Sequence, residues 1–122
     1  MSEFKTPLIA RLLPETPDTE QWQLVEPLVY ESDLLGTITV PAGFITDFVS
    51  FKILNFTAHR PALVHDYLYE CSDVERDVAD KVLKEALQVI GAPDLLIQEM
   101  YLAVRAFGGS HRTDLNYMLK GA

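Results

Sequence analysis

The second half of the chain carries a long apolar stripe at the spacing of an α-helix. The stripe consists of Val74, Val78, Val82, Leu83, Ala86, Leu87 and Ile90. Residues three or four positions apart share one face of a helix, so this pattern predicts a helix with a wide buried face. Ser72-Asp73 is suited to cap its start, and Gly91 is suited to end it. Such a face must pack against other elements of the chain.

Two further helices are predicted on either side of this one. Residues 61–71 begin with Pro61, which suits the first turn of a helix. Pro93-Asp94 begins the other helix, and Gly108-Gly109 ends it. Its apolar face is formed by Leu96, Ile97, Met100, Tyr101, Val104 and Phe107.

The first half of the chain has the pattern of short strands and turns. The strand-like segments are residues 9–13, 21–31, 35–40 and 44–46. Turn residues separate them: Pro14-Glu15-Thr16-Pro17-Asp18, Glu31-Ser32-Asp33 and Pro41-Ala42-Gly43. Pro27 predicts a bulge or break in the second segment. We therefore predict one α+β domain over residues 1–122, in which a small antiparallel β-rich layer (residues 1–56) packs on three C-terminal helices (within residues 61–108).

Composition limits the function classes. A net charge of −8 argues against nucleic-acid binding, because phosphates would be repelled. The single cysteine, Cys71, allows no intrachain disulfide, as expected for a reducing compartment. The sequence shows neither a secretory signal nor an apolar run long enough to span a bilayer. It therefore predicts a soluble cytoplasmic protein, and export as part of a larger particle stays open.

Two segments of the helical half concentrate the potential chemistry: Val64-His65-Asp66-Tyr67-Leu68-Tyr69 and Arg76-Asp77-Val78-Ala79-Asp80. His65 and Tyr69 are four residues apart and share one helix face. If the two helices pack antiparallel, Asp80 can meet both side chains. A histidine held by a carboxylate can take a proton from water near neutral pH, so these three residues are predicted to be catalytic. Asp66 points about a quarter turn away and is available to bind a metal ion or a positively charged group.

A second interpretation is a buried polar network without catalysis, in which His65 simply hydrogen-bonds a carboxylate. Arg76 and Asp80 are also four apart, which allows an ordinary helix salt bridge. Asp80 nevertheless lies beside the Leu83 and Leu87 edge of the apolar stripe, so we expect it to point inward. Both interpretations remain open at this level.

The segment Thr46-Asp47-Phe48-Val49-Ser50 follows a short predicted strand and is a second place where a site could be built. Asp47 and Ser50 are predicted to line a pocket beside His65, together with Tyr67 and Arg76. The alternative is an Asx or Ser turn that satisfies the local backbone. His59 and His111 are isolated, and with one cysteine they give no zinc-binding spacing.

Four segments resemble domain-of-unknown-function family 1353, which occurs in tailed phages and prophages. They are Val40 to Ser50, His65-Asp66-Tyr67-Leu68-Tyr69, Arg76-Asp77-Val78-Ala79-Asp80 and Met100 to Gly108. The resemblance implies a phage context, in the host cytoplasm or in the virion, and no settled activity. Family members usually continue after the serine with an apolar residue, proline and a basic residue, whereas this chain has Phe51-Lys52-Ile53.

A local resemblance links the His-Asp-x-x-Tyr segment, with an aspartate on an antiparallel helix, to the active-site core of phospholipases A2. In those enzymes the histidine is the general base for water and the adjacent aspartate binds calcium. Carried over, His65 would be the base and Asp66 the calcium ligand. Tyr69 and Asp80 would orient the histidine.

The chain departs from phospholipases A2 upstream of this helix. Their glycine-rich loop, which donates carbonyl ligands to calcium, is missing. Gly43 is the only glycine of this chain in the region that corresponds to that loop. Asp47 is the predicted replacement for those ligands. The cofactor implied by this resemblance is Ca²⁺, whose ligands are hard oxygen atoms.

Two functions follow from these patterns. The first is a phage-associated hydrolase in which His65 activates water, with a divalent cation on Asp66 and Asp47, to cleave an ester or amide. The second is a non-catalytic virion, tail or assembly component, or a host-directed binder, in which the same residues are a buried polar network. Its partners would be other phage structural proteins, and neither function involves nucleic acid.

Overall fold

The computed structural model describes residues 1–15, 20–46 and 58–108. Its strands are β1 (Glu3–Phe4), β2 (Ala10–Leu12), β3 (Trp22–Leu24), β4 (Leu28–Ser32), β5 (Gly36–Val40) and β6 (Ile45–Thr46). Its helices are α1 (His59–Cys71), α2 (Arg76–Val89) and α3 (Asp94–Ala103), which a π-helical turn (Val104–Gly108) continues. Two small antiparallel sheets therefore precede three helices, which confirms the predicted α+β class.

The strands form two separate sheets, in the orders β1-β4-β5 and β2-β3-β6. The break predicted at Pro27 within residues 21–31 is confirmed, and it is a full interruption, since β3 and β4 belong to different sheets. Pro27 lies in the gap between them and lacks the N–H that a continuous ladder would need. The chain leaves one sheet and enters the other at this break.

The β4–β5 hairpin supplies the apolar face that meets the helices. Leu28 pairs with Val40 and Tyr30 with Ile38, and all four are buried. Strand residues alternate between two faces, so these side chains share the inner face. The turn follows Ser32 rather than including it, which corrects the predicted turn at Glu31-Ser32-Asp33. The Ser32 hydroxyl accepts hydrogen bonds from the backbone N–H groups of Leu34 and Leu35.

Helix α2 is the central helix of the core. The middle of its apolar stripe is buried, at Val82, Leu83, Ala86 and Leu87, whereas Ile90 is 37% exposed. The Tyr30 hydroxyl also donates a 2.6 Å hydrogen bond to Glu85 Oε1, which ties the β4–β5 hairpin to α2.

The start of α2 differs from the prediction, and its end agrees with it. The helix begins at Arg76, and Ser72 serves the end of α1 instead, since its hydroxyl donates to the Leu68 carbonyl at 2.7 Å. The N–H of Val74 then donates to the same hydroxyl. After Val89 the chain turns at Gly91, whose φ of 79° is in the left-handed region that glycine adopts at little cost.

The N-terminal strand is held to α1 by one arginine. The Arg60 guanidinium lies 4.5 Å from the centre of the Phe4 ring and donates to the Thr6 carbonyl at 3.1 Å. These contacts order β1 beside the helix that carries His65. Among the residues that the structure describes, no helix has the length and apolar character needed to cross a membrane.

Candidate functional site

The candidate site lies where the end of α1 meets the start of α2. Residues 72–75 join the two helices, so the last turns of α1 lie beside the first turns of α2. His65 and Tyr69 stand one turn apart on α1, and Asp80 lies in the second turn of α2. This hairpin brings together the three residues that the sequence predicts to meet.

Both α1 side chains bind the same oxygen of Asp80. His65 Nε2 lies 2.8 Å from Asp80 Oδ1, and the Tyr69 hydroxyl donates to Oδ1 at 2.5 Å. Asp80 is fully buried and His65 is 3% exposed. The His65 and Tyr69 rings also contact each other, with centroids 4.2 Å apart. The buried carboxylate is thus paired as its desolvation requires.

The other oxygen of Asp80 faces two arginines. Arg105, in the π-helical turn, donates from Nη1 to Oδ2 at 3.0 Å. Arg76 lies at ion-pair distance, as its spacing of four residues from Asp80 allows, with Nε 4.0 Å from Oδ2. Arg76 also donates to the backbone carbonyl of Arg105. A role for Arg105 was not predicted from the sequence. The signal was the expected burial of Asp80, because a buried carboxylate needs a positively charged partner.

The electrostatics keep Asp80 ionised. Burial by itself would raise the pKa of the Asp80 carboxyl, but hydrogen bonds from His65, Tyr69 and Arg105 outweigh it, and the pKa lies below its usual value. Burial, followed by the hydrogen bond to Asp80, raises the pKa of Tyr69 far above its usual value. Wherever Asp80 is ionised, the tyrosine is therefore a neutral donor to an anionic acceptor.

This pairing fixes the tautomer of neutral His65. An ionised carboxylate only accepts hydrogen bonds, so Nε2 must carry the proton that it shares with Asp80 Oδ1. The lone pair is then on Nδ1, which is buried and has no hydrogen-bond partner among the described residues. A buried imidazole with one nitrogen held and the other bare is a candidate proton acceptor.

Asp66 and Tyr67, which follow His65 in α1, contact residues of the N-terminal half of the chain. Asp66 is half-buried and accepts a 2.6 Å hydrogen bond at Oδ2 from the hydroxyl of Thr46 in β6. The Tyr67 ring packs edge-on against Phe44, with centroids 5.7 Å apart. Asp47 and Ser50, predicted as a metal ligand and a pocket residue, lie outside the described residues.

The predicted calcium site is not supplied by the described residues alone. Within residues 1–15, 20–46 and 58–108, no group of three His, Cys, Asp or Glu side chains could hold a metal ion. Near Asp66 the structure shows one carboxylate and the Thr46 hydroxyl. Calcium takes about six to eight oxygen ligands, so these two groups would supply only part of such a site.

Comparison with known proteins gives a match to a protein family. Residues 22–104 match the family model described as "Protein of unknown function (DUF1353)". The matched range contains His65, Tyr69, Arg76 and Asp80, and Arg105 follows it directly. No curated protein and no solved structure matches the chain.

Proposed function

This chain belongs to the DUF1353 family of proteins of unknown function, and we propose that it is a small hydrolase in which His65 activates water. One observation carries the proposal. His65 is held at Nε2 by a buried aspartate, 2.8 Å away, while its Nδ1 has no partner among the described residues. That is the arrangement in which an imidazole acts as a general base.

The proposed reaction cleaves an ester or amide bond. Nδ1 of His65 takes a proton from water as the water oxygen attacks the carbonyl carbon of the substrate. The imidazolium that forms is stabilised by Asp80 through the Nε2–H···Oδ1 hydrogen bond, whose acceptor is already ionised. The proton then passes from Nδ1 to the leaving oxygen or nitrogen as its bond to the carbonyl carbon breaks. Tyr69 and Asp80 orient the imidazole and do not exchange protons with the substrate.

The substrate class and the biological context rest on the resemblances. The likeness to phospholipases A2 implies a histidine oriented by an aspartate and a tyrosine, and the contacts of His65, Tyr69 and Asp80 support that likeness. A phage or prophage origin would make lipid or cell-envelope esters the natural targets. We therefore propose acyl esters of lipids as the first substrates to test.

Calcium stays a separate prediction that concerns Asp66 and Asp47. No step above runs through a metal. If Asp47 and the Asp66–Thr46 pair do bind calcium, added Ca²⁺ will raise the melting temperature by ligand linkage, and Mg²⁺ will do so much less. The Asp66→Asn variant serves as the control, because it removes the one ligand charge that the structure describes there.

The test of the hydrolase proposal is the His65→Gln variant, assayed on short- and long-chain acyl esters and on phospholipid vesicles. Hydrolysis should fall to background, because glutamine has no basic nitrogen. The melting temperature should remain nearly unchanged, since the glutamine amide can still donate to Asp80. The His59→Gln variant is the matched control, because His59 is exposed. Equal hydrolysis by the His65→Gln variant, or none by the unmodified chain on any ester or amide, would contradict the proposal.

A second candidate function is favoured by the convergence of three elements on Asp80. Side chains of α1 and of the π-helical turn donate hydrogen bonds to its carboxylate, and Arg76 of α2 lies at ion-pair distance, as in a polar network that fixes helix packing. The protein would then be a non-catalytic phage virion, tail or assembly component, or a host-directed binder. Its interface would use the exposed apolar side chains of the N-terminal half: Ile9, Leu12, Val25, Leu34, Leu35 and Ile45. In that case the unmodified chain would hydrolyse no ester or amide, and His65→Gln would have no activity to lose.

A further inference from the structure

The π-helical turn after α3 carries Arg105, whose side chain binds the buried carboxylate of Asp80. Residues Val104–Gly108 form this turn, directly after the last residue of α3. A π-helical turn is wider than an α-helical turn and changes the direction of the side chains that follow, and such turns are frequent at functional sites. Here Val104 is packed in the core, and the next residue, Arg105, reaches Asp80 Oδ2 at 3.0 Å.

The two oxygens of Asp80 have separate partners. Oδ1 accepts from His65 and Tyr69, and Oδ2 accepts from Arg105. A carboxylate bound on both oxygens cannot turn about its Cβ–Cγ bond without losing a charge-assisted hydrogen bond. Arg105 therefore fixes the plane in which Oδ1 meets the imidazole of His65.

A second arginine holds the turn itself. Arg76 donates to the backbone carbonyl of Arg105, so the first residue of α2 is attached to the turn that carries Arg105. The Arg105 side chain is 36% exposed, and an ion pair with so much contact with water gives only modest stability. The main consequence of the contact is the orientation of Asp80.

We infer that Arg105 is a positioning residue for the proposed general base: it holds Asp80 in the orientation that keeps the proton of His65 on Nε2 and the lone pair on Nδ1. This inference rests on the proposed hydrolase, because an imidazole held in this way matters most when it must accept a proton. It adds a residue from a third element to a site that otherwise lies on α1 and α2.

The experiment compares the Arg105→Gln and Arg105→Lys variants with the unmodified chain. NMR measures the exchange of the His65 Nε2–H proton with water, and steady-state kinetics measure kcat and KM on an acyl ester. Arg105→Gln should make that proton exchange on the order of tenfold faster and lower kcat by about tenfold, with little change in KM. Arg105→Lys should keep most of the slow exchange of the Nε2–H proton and most of kcat, because a cation again faces Oδ2. Arg11→Gln is the control, since Arg11 is exposed and binds its cross-strand neighbour Gln23 within the β2-β3-β6 sheet.

Unchanged exchange of the Nε2–H proton in Arg105→Gln, as in the Arg11→Gln control, would overturn the inference. If Arg105→Gln does not unfold cooperatively, it is not a folded protein that can be compared with the unmodified chain. A crystal structure of the unmodified chain then tests the inference instead. A guanidinium within hydrogen-bond distance of Oδ2 supports the inference, and one turned away from Asp80 overturns it. Lack of hydrolysis by the unmodified chain would contradict the proposed function, whereas the proton-exchange measurement would still decide the role of Arg105.

Discussion

His65 Nε2 and Asp80 Oδ1 lie 2.8 Å apart in the interior of the protein, although fifteen positions separate the two residues in the chain. The contact joins α1 to α2, and it sets which nitrogen of the imidazole carries a proton.

Replacing Asp80 by asparagine should destabilise the fold by about 3 kcal/mol. The change leaves His65 and the two arginines without their common anion, and Asp80 is fully buried. Arg105 still reaches water, which keeps the loss at the low end of the range for a broken buried pair. Urea unfolding measures the difference. The exposed Asp73→Asn variant is the control and should change stability by less than about 0.5 kcal/mol.

The stabilisation from Asp80 should disappear in acid. Its folded-state pKa is below the usual value, so its contribution is present above the unfolded-state pKa and is lost as pH falls through the folded-state pKa. The difference in melting temperature between the unmodified chain and Asp80→Asn should thus be constant near neutrality and shrink below about pH 4. Calorimetry across pH checks this. A difference that grows with acidity would be incompatible with an ionised Asp80.

Replacing Tyr69 by phenylalanine should cost about 1.5 kcal/mol, because the variant loses a hydrogen bond to a buried charge while the ring contact with His65 remains. Hydrolysis should fall less than in His65→Gln, since Nε2 keeps its acceptor. Chemical unfolding and the ester assay measure the two effects. Tyr101→Phe is the matched control: Lys84 lies over its ring, a contact that phenylalanine retains. Equal effects of the two substitutions would argue against the Asp80 hydrogen bond.

Replacing Gly91 by alanine should destabilise the protein by about 1 kcal/mol. The added methyl group meets no atom within 4 Å, so the cost comes from the φ of 79° and not from a clash. Gly91→Asn should cost less, because asparagine tolerates the left-handed region better than alanine does. Thermal unfolding of the two variants tests the order. A more stable alanine variant would mean that the turn after α2 has a different backbone conformation.

The helical half of the fold could be predicted because its signals are local. The apolar stripe of α2 and the left-handed Gly91 identify one helix and its end within a short window of sequence. The meeting of His65, Tyr69 and Asp80 followed from the same reasoning. Two helix faces and a short connection leave few ways to pack, so the spacing of these residues indicated their contact.

The parts that sequence reasoning missed depend on partners far along the chain. The sequence of residues 21–31 does not indicate that β3 and β4 belong to different sheets, because strand pairing depends on residues far along the chain. Ser72 suited a helix start as well as the helix end that it serves. The π-helical turn has no sequence pattern of its own. The contact between Arg105 and Asp80 therefore could not be predicted from the sequence and is seen only in the structure.

The ¹⁵N chemical shifts of the His65 ring, measured at a pH where the imidazole is neutral, test the proposed role of His65. They distinguish a nitrogen that carries a proton from one that carries a lone pair. With Asp80 Oδ1 as the acceptor, Nε2 should be protonated and Nδ1 bare, and the two shifts should converge when Asp80 is replaced by asparagine. A proton on Nδ1 in the unmodified chain would leave His65 without the basic atom on which the proposed hydrolysis depends.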